Sequence, residues 1–125
     1  MKIVIVEDSG YIRQNLIKFI STIKGAEIVG EAEDVEPAVK LINEKSPDII
    51  TLDIELKKSN GFDLLDKIKS SGKSSPIVIM FSNLSSLSYK EKALKGKADY
   101  FFDKNNDFED LITTIESLIK NQKSG

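Results

Sequence analysis

The stretch PDIITLDIEL, residues 47–56, contains the pattern that decides the fold. Its run IITL is continuously apolar or β-branched, which is typical of a strand covered on both faces in a parallel sheet. Pro47 stops the preceding helix ahead of this strand, and Asp53 follows directly after it. The stretch therefore predicts a buried strand of an α/β fold with a carboxylate at its carboxyl end.

Four further runs of similar length and composition lie on either side of this one, and all five are predicted to be strands. The second run is more polar than the others, which favours a position at the edge of the sheet. The predicted strands are Ile3–Val6, Glu27–Gly30, Asp48–Leu52, Ile77–Phe81 and Ala98–Phe102.

Helical periodicity separates the predicted strands. Apolar residues recur every three or four positions over Ser9–Lys24 and Asp107–Asn121, and Pro37 suits the first turn of another helix. The weakest apolar stripe lies in Ser85–Lys95, so we expect a marginal helix there. Pro76 stops the helix ahead of the fourth strand. Repeated βα alternation predicts a doubly wound α/β sandwich with its site at the carboxyl ends of the strands.

Composition limits the chemistry available to this fold. The 125 residues include no cysteine and no histidine, which excludes disulfides, the usual zinc sites and histidine bases. With 18 basic and 20 acidic residues the net charge is −2, which disfavours direct binding of nucleic acid. No apolar run reaches the ~20 residues that cross a bilayer, and the amino terminus does not read as a signal peptide. We expect one cytoplasmic domain with no membrane contact.

Polar residues follow the predicted strands where the carboxyl ends should meet. Four of them are acidic, and an all-oxygen cluster of this kind suits Mg²⁺ better than a softer metal. Asp53 is placed to act as a nucleophile, and a lysine could offset charge on a transferring phosphoryl group. The candidate residues are Glu7, Asp8, Asp53, Glu55, Ser82 and Lys104.

Structural interpretations compete with these roles. Asp8 and Ser9 also suit the start of a helix, and a single Ser82 or Lys104 is commonly a turn hydroxyl or a solvated charge. Asp53 is the exception, because a carboxylate that ends an apolar strand is costly unless it serves a function. The occurrence of all these residues at successive strand ends favours the functional interpretation.

Five motifs in order resemble the receiver domain of response regulators in two-component signalling, in particular the stand-alone type similar to the chemotaxis receiver. The resemblance implies a flavodoxin-like five-stranded sheet of order 2-1-3-4-5 flanked by five helices. It covers nearly the whole chain and predicts a receiver domain over residues 1–122 with a short tail at 123–125. The motifs are KIVIVED, PDIITLDIEL, NGFDLL, PIVIMFS and ADYFFDK.

This resemblance implies a signalling phosphoacceptor that catalyses only its own phosphorylation and dephosphorylation. The phosphoryl group would pass from a phosphohistidine of a sensor histidine kinase or phosphotransfer protein, or from a small acyl phosphate, to Asp53. Asp8, Asp53 and the backbone carbonyl of Glu55 would bind Mg²⁺ directly, and Glu7 would act mainly through water.

The resemblance also implies a switch. Lys104 would contact one phosphoryl oxygen and the Ser82 hydroxyl would move to bond another, which would let Phe101 turn inward. The face formed by helix 4, strand 5 and helix 5 would then bind a downstream protein.

Some residues depart from the common pattern of the family. Glu55 places a carboxylate where an apolar or amide side chain is common, and Asn83 replaces a small residue after Ser82. We expect both to modulate the lifetime of the phosphorylated state. Lys97 stands where glycine is usual.

Other functions remain as alternatives. An aspartate-nucleophile phosphohydrolase of the haloacid dehalogenase type would need a second aspartate two residues after the first, where Glu55 stands. A receiver-like interaction module that works without phosphorylation would not need the acidic residues and the lysine. Flavin binding would need a phosphate loop where Glu7 and Asp8 would repel a phosphate. A run of lysines, interpreted either as a solvated helix face or as a docking surface, comprises Lys90, Lys92, Lys95 and Lys97.

Overall fold

The computed structural model describes residues 1–71 and 75–124, and strand and helix alternate throughout. The strands are β1 (Lys2–Val6), β2 (Glu27–Ala32), β3 (Ile49–Leu52), β4 (Ile77–Ser82) and β5 (Tyr100–Asp103). The helices are α1 (Gly10–Ile20), α2 (Val35–Lys45), α3 (Gly61–Lys69), α4 (Leu87–Lys95) and α5 (Phe108–Ser124). Gly125, in the predicted tail, lies outside the described residues, whereas α5 continues through residue 124.

The five strands form one parallel sheet in the order β2-β1-β3-β4-β5, which confirms the predicted fold. β3 lies at the centre, where Ile49 pairs with Ile3 of β1 and with Ile77 of β4. The polar strand β2 is at an edge, as its sequence predicted. Parallel order brings the carboxyl ends of β1, β3 and β4 to one rim of the sheet.

Alternate residues of the central strands supply two separate cores. Val4 and Ile50 face the side covered by α2, α3 and α4, whereas Ile3 and Ile49 face α1 and α5. These residues are fully buried, which explains why the central strands are apolar or β-branched at nearly every position. The sheet is therefore a rigid support for the loops at its rim.

The first helix is shorter than its periodicity predicted. Ser9 caps its start by accepting a hydrogen bond from the backbone N–H of Ile12 at 3.3 Å, but the helix ends at Ile20 instead of Lys24. The Thr22 hydroxyl donates to the Phe19 carbonyl at 2.7 Å, and a turn replaces the last predicted helical turn. The prediction was wrong there because apolar spacing does not detect this competing local hydrogen bond.

Helix α4 packs weakly, as its sequence predicted. Ala93 is its one buried residue, whereas Leu87 and Leu94 are 71% and 75% exposed. An aromatic contact joins it to α3: the ring of Tyr89 on α4 stacks on that of Phe62 on α3, with centroids 6.5 Å apart. Among the described residues, no helix combines the length and apolar character that would let it cross a membrane.

Lys97 has a left-handed backbone, with φ of 69°, two residues after the end of α4. A β-carbon in this region costs about 1–2 kcal/mol relative to glycine, which explains the family preference for glycine here. We predict that Lys97→Gly raises the free energy of unfolding by about 1 kcal/mol, measured by urea denaturation. Lys97→Ala is the matched control, because it removes the same charge and keeps the β-carbon. Equal stabilities of the two variants would refute the strain.

Candidate functional site

A buried ion-pair cluster lies at the rim formed by the carboxyl ends of the strands. The Lys104 ammonium is 2.7 Å from Glu7 Oε1 and 2.9 Å from Asp53 Oδ2. The side chains of Lys104, Glu7 and Asp53 are only 8%, 2% and 4% exposed, respectively. Residues from β1, β3 and the loop after β5 thus meet at one lysine, as the strand-end pattern predicted.

Burial dominates the electrostatics of this cluster. Desolvation raises the pKa of Glu7 from 4.5 to about 7, and the neighbouring Asp53 charge adds to the rise against the hydrogen bond from Lys104. Burial works to lower the pKa of Lys104, but hydrogen bonds and charges from Glu7 and Asp53 outweigh it and raise that pKa. The lysine therefore stays charged, and the two acidic side chains share its charge.

A third carboxylate, that of Asp8, completes an acidic group at the same rim. Carboxylate oxygens of Glu7, Asp8 and Asp53 all lie within 4.8 Å of one another. Asp8 is exposed, whereas the other two are buried, so the group is open to solvent on the Asp8 side. Clustered carboxylate oxygens without nitrogen or sulfur ligands fit a hard divalent cation such as Mg²⁺.

The start of α3 packs tightly against the backbone of Asp53, which follows β3. A β-carbon at Gly61 would lie 2.1 Å from the Asp53 carbonyl oxygen, so only glycine fits at this approach. The Gly61 N–H donates to the Ile54 carbonyl at 2.7 Å, and Glu55 pairs with Asn60 across the loop. These contacts fix the backbone of Glu55 beside the acidic group.

Glu55 was one of the four acidic candidates at this rim, but its carboxylate lies outside the acidic group. Its backbone N–H donates to Asp53 Oδ1 at 3.3 Å, whereas its side chain is exposed and does not belong to the acidic group. Lys104 pairs only with Glu7 and Asp53 among the described residues. The backbone of Glu55, rather than its carboxylate, is therefore the part that lies beside the site.

The predicted switch residues lie on β4 and β5, the two strands on one side of β3. Ser82 is fully buried at the end of β4, where its hydroxyl accepts a hydrogen bond from the Leu84 N–H at 3.0 Å. Asn83 follows it and is exposed. Phe101 is half-buried on β5 and packs against the core beneath α2, α3 and α4. Ser82 and Phe101 thus lie near the site without belonging to the ion pair.

Two residues that contact the site were missed in the sequence. Gly61 stands in the quoted NGFDLL motif, and its role follows only from the close approach of two backbones. Arg13, on α1, donates to the Glu7 carbonyl at 2.8 Å. The one feature of the sequence that could have drawn attention to Arg13 is that it is the single arginine. Of the pair Asp8 and Ser9, which also suited the start of a helix, Ser9 supplies the cap of α1.

Comparison with known proteins agrees with this geometry. The family model described as the response regulator receiver domain matches residues 3–116. The chain belongs to the response regulator receiver domain family. The resemblance found in the sequence is thereby confirmed, and so is the strand order that it implied.

Individual relatives show the same likeness. The receiver domain is 30% identical over 128 residues to the sensory transduction protein LytT of Bacillus cereus, with 99% of this chain and 49% of LytT covered. The crystal structure of a LuxR-family DNA-binding response regulator from Staphylococcus aureus superimposes with a TM-score of 0.85 at 28% identity, covering 94% of this chain and 98% of that one. The response regulator domain of Thermotoga maritima CheB gives 0.83 at 29% identity, covering 97% and 94%. The chain spans about half the length of LytT.

The raised pKa of Glu7 predicts how stability depends on pH in the absence of a metal. Its folded pKa of about 7 exceeds the ordinary 4.5, so protonation of this carboxyl stabilises the folded state. This stabilisation is fully present below pH 4.5 and is lost as pH rises through 7. With a chelator present, the wild type should lose on the order of 2 kcal/mol between pH 5 and 8 relative to Glu7→Gln, measured by urea denaturation. Glu44→Gln, on an exposed position, should parallel the wild type. Parallel curves for Glu7→Gln and the wild type would contradict the shift.

Proposed function

We propose that this receiver domain is a phosphoacceptor whose Asp53 accepts a phosphoryl group from a phosphohistidine or a small acyl phosphate. The observation that carries the proposal is the buried contact of Asp53 Oδ2 with the Lys104 ammonium at 2.9 Å. A carboxylate held there beside one cation can take up a phosphoryl group whose added charge the lysine offsets. The sequence contains no histidine, so a phosphohistidine donor must belong to another protein chain.

The transfer itself is a nucleophilic displacement at phosphorus. An oxygen of the Asp53 carboxylate forms a bond to phosphorus while the bond from phosphorus to the imidazole nitrogen or acyl oxygen of the donor breaks. Lys104 then contacts the phosphoryl oxygens, and Glu7 keeps the ammonium in place from its other side. The donor loses its phosphoryl group and the receiver domain keeps it on Asp53, so the transfer is a signalling step rather than turnover of a substrate.

Mg²⁺ is the proposed cofactor of this step. Asp8, Asp53 and the backbone carbonyl of Glu55 would hold it directly, and Glu7 would contribute through water. The support is the group of three carboxylates within 4.8 Å of one another. The cation would supply positive charge to offset the negative charge of the transferring phosphoryl group.

The proposed output surface is the face of α4, β5 and α5, which would bind a downstream protein. Leu87 and Leu94, seven residues apart on α4, are exposed, and Tyr100 of β5 is 38% exposed. Movement of the Ser82 hydroxyl from Leu84 toward the phosphoryl group, with an inward turn of Phe101, would couple the site to this face. Exposed apolar side chains on this face favour a protein partner.

The acceptor role is tested by phosphorylation in solution. Incubation with Mg²⁺ and acetyl phosphate should add the mass of one phosphoryl group, because Asp53 displaces the acyl leaving group. Intact-protein mass spectrometry should show the gain in the wild type and in Asp63→Asn, an exposed aspartate on α3, but not in Asp53→Asn.

Each other result has a definite meaning. A mass gain that persists in Asp53→Asn would refute Asp53 as the acceptor. A wild type without any gain would favour an interaction module that works without phosphorylation. Continuous release of phosphate over many turnovers would favour a phosphohydrolase.

The lifetime of the phosphorylated state is proposed to depend on Glu55 and Asn83, whose exposed side chains follow the acceptor strand and the Ser82 strand. Asn83→Ala should speed loss of the phosphoryl group several-fold, because a smaller side chain opens the path of the attacking water. Glu55→Met should slow the loss, because it removes a carboxylate that can orient this water. The measurement is decay of the phosphorylated mass after removal of acetyl phosphate. Glu44→Met and Asn43→Ala on α2 are matched controls, and unchanged rates in both test variants would refute the proposal.

A further inference from the structure

Arg13 makes three polar contacts at the amino-terminal turn of α1, and its side chain is only 14% exposed. Nε lies 2.6 Å from Glu31 Oε1 and Nη2 lies 3.3 Å from Glu33 Oε1. Nη1 donates to the backbone carbonyl of Glu7 at 2.8 Å. The planar fork of an arginine suits three acceptors in different directions, whereas a lysine presents a single point charge.

The contact with the Glu7 carbonyl bears directly on the acidic group. This carbonyl belongs to the peptide that joins Glu7 to Asp8, so its orientation fixes the start of the Asp8 backbone. The Glu7 N–H is held from the other side by the Ala32 carbonyl at 2.9 Å. Asp8 is exposed and follows the strand, so the peptide held by Arg13 helps to set its position relative to Asp53, together with the Ser9 N–H, which donates to Glu7 Oε2 at 3.0 Å.

Glu33 extends the same network to the loop after β3. Its carboxylate contacts Arg13 on one side and the Lys57 ammonium, at 3.6 Å, on the other. Its carbonyl also accepts a hydrogen bond from the Lys57 N–H at 3.2 Å. Lys57 stands two residues after Glu55, so Arg13 and Glu33 tie together the two segments that carry the acidic group.

We infer that Arg13 is a positioning residue for the divalent-cation site: through the Glu7 carbonyl and Glu33 it holds the Asp8 segment and the Glu55 segment at the spacing that binds the ion. The inference rests on the proposed function. Groups that orient metal ligands from behind typically change affinity 10–100-fold when they are removed. Arg13 acts through backbone that carries the ligands and does not itself touch the ion.

A purely structural ion pair is the competing interpretation, and the chain offers a matched control for it. Lys69 is 13% exposed and pairs with Asp99 at 3.0 Å, far from the rim at the start of β4. Lys69→Met and Arg13→Met should therefore both destabilise the fold. Only Arg13→Met should affect the cation.

The test is titration of the full chain with Mg²⁺ by calorimetry. Arg13→Met should raise the Mg²⁺ dissociation constant roughly tenfold, Arg13→Lys should fall between Arg13→Met and the wild type, and Lys69→Met should match the wild type. In chelator, the amides of Asp8 and Ser9 should exchange hydrogen faster in Arg13→Met than in Lys69→Met. The rate of phosphorylation by acetyl phosphate should recover at saturating Mg²⁺, because affinity rather than chemistry is reduced.

The outcomes separate the inference from the proposed function. A wild type that does not bind Mg²⁺ would refute the proposed cofactor and, with it, the role of Arg13. A wild type that binds Mg²⁺ together with an unchanged dissociation constant in Arg13→Met would overturn the inference alone. If Arg13→Met does not fold, Arg13→Lys and Glu33→Gln replace it, because each weakens the network and keeps the remaining contacts; affinities equal to that of the wild type in both would overturn the inference.

Discussion

One buried ammonium group, that of Lys104, determines both the stability and the chemistry of the rim. Glu7 and Asp53 are nearly inaccessible to water, and two such carboxylates side by side would be strongly unfavourable without a cation between them. Lys104 comes from the loop after β5, so its contacts join the far side of the sheet to β1 and β3. Lys104 is the cation that contacts Asp53 among the described residues, so negative charge added at Asp53 would act on this lysine and through it on the loop after β5.

The apolar strands made the fold predictable, whereas the helix ends were set by contacts that have no periodicity. Ile49 and its neighbours are buried on both faces of the sheet, so the continuous apolar run correctly indicated a central strand. The strand order came from the family resemblance, because apolar runs alone do not say which strands are adjacent. Ile23 continued the helical spacing beyond the end of α1, but a hydroxyl-to-carbonyl bond at Thr22 ended the helix first.

The site was predictable to the extent that strand ends determine it. Glu7, Asp53 and Lys104 were expected to meet because parallel strands deliver their carboxyl ends to one rim, and they do. Backbone contacts are invisible in the same pattern. Arg13 contacts a backbone carbonyl, and Gly61 lets two backbone segments approach closely. The side chains of the contacted residues therefore give no indication of either contact.

The weak packing of α4 gives the fold an element that a small energy can move. Beyond Ala93, its ties to α3 are the stacked rings of Phe62 and Tyr89 and the Lys92 ammonium 4.7 Å from the Phe62 ring centre. Contacts of these two kinds contribute about 1 kcal/mol each. A hydrogen bond to a charged group contributes about 1.5–3 kcal/mol, so one new bond at the rim is comparable with these two contacts together. The central strands β1, β3 and β4 are almost entirely buried, so α4 is an element on which such a change can act without cost to the core.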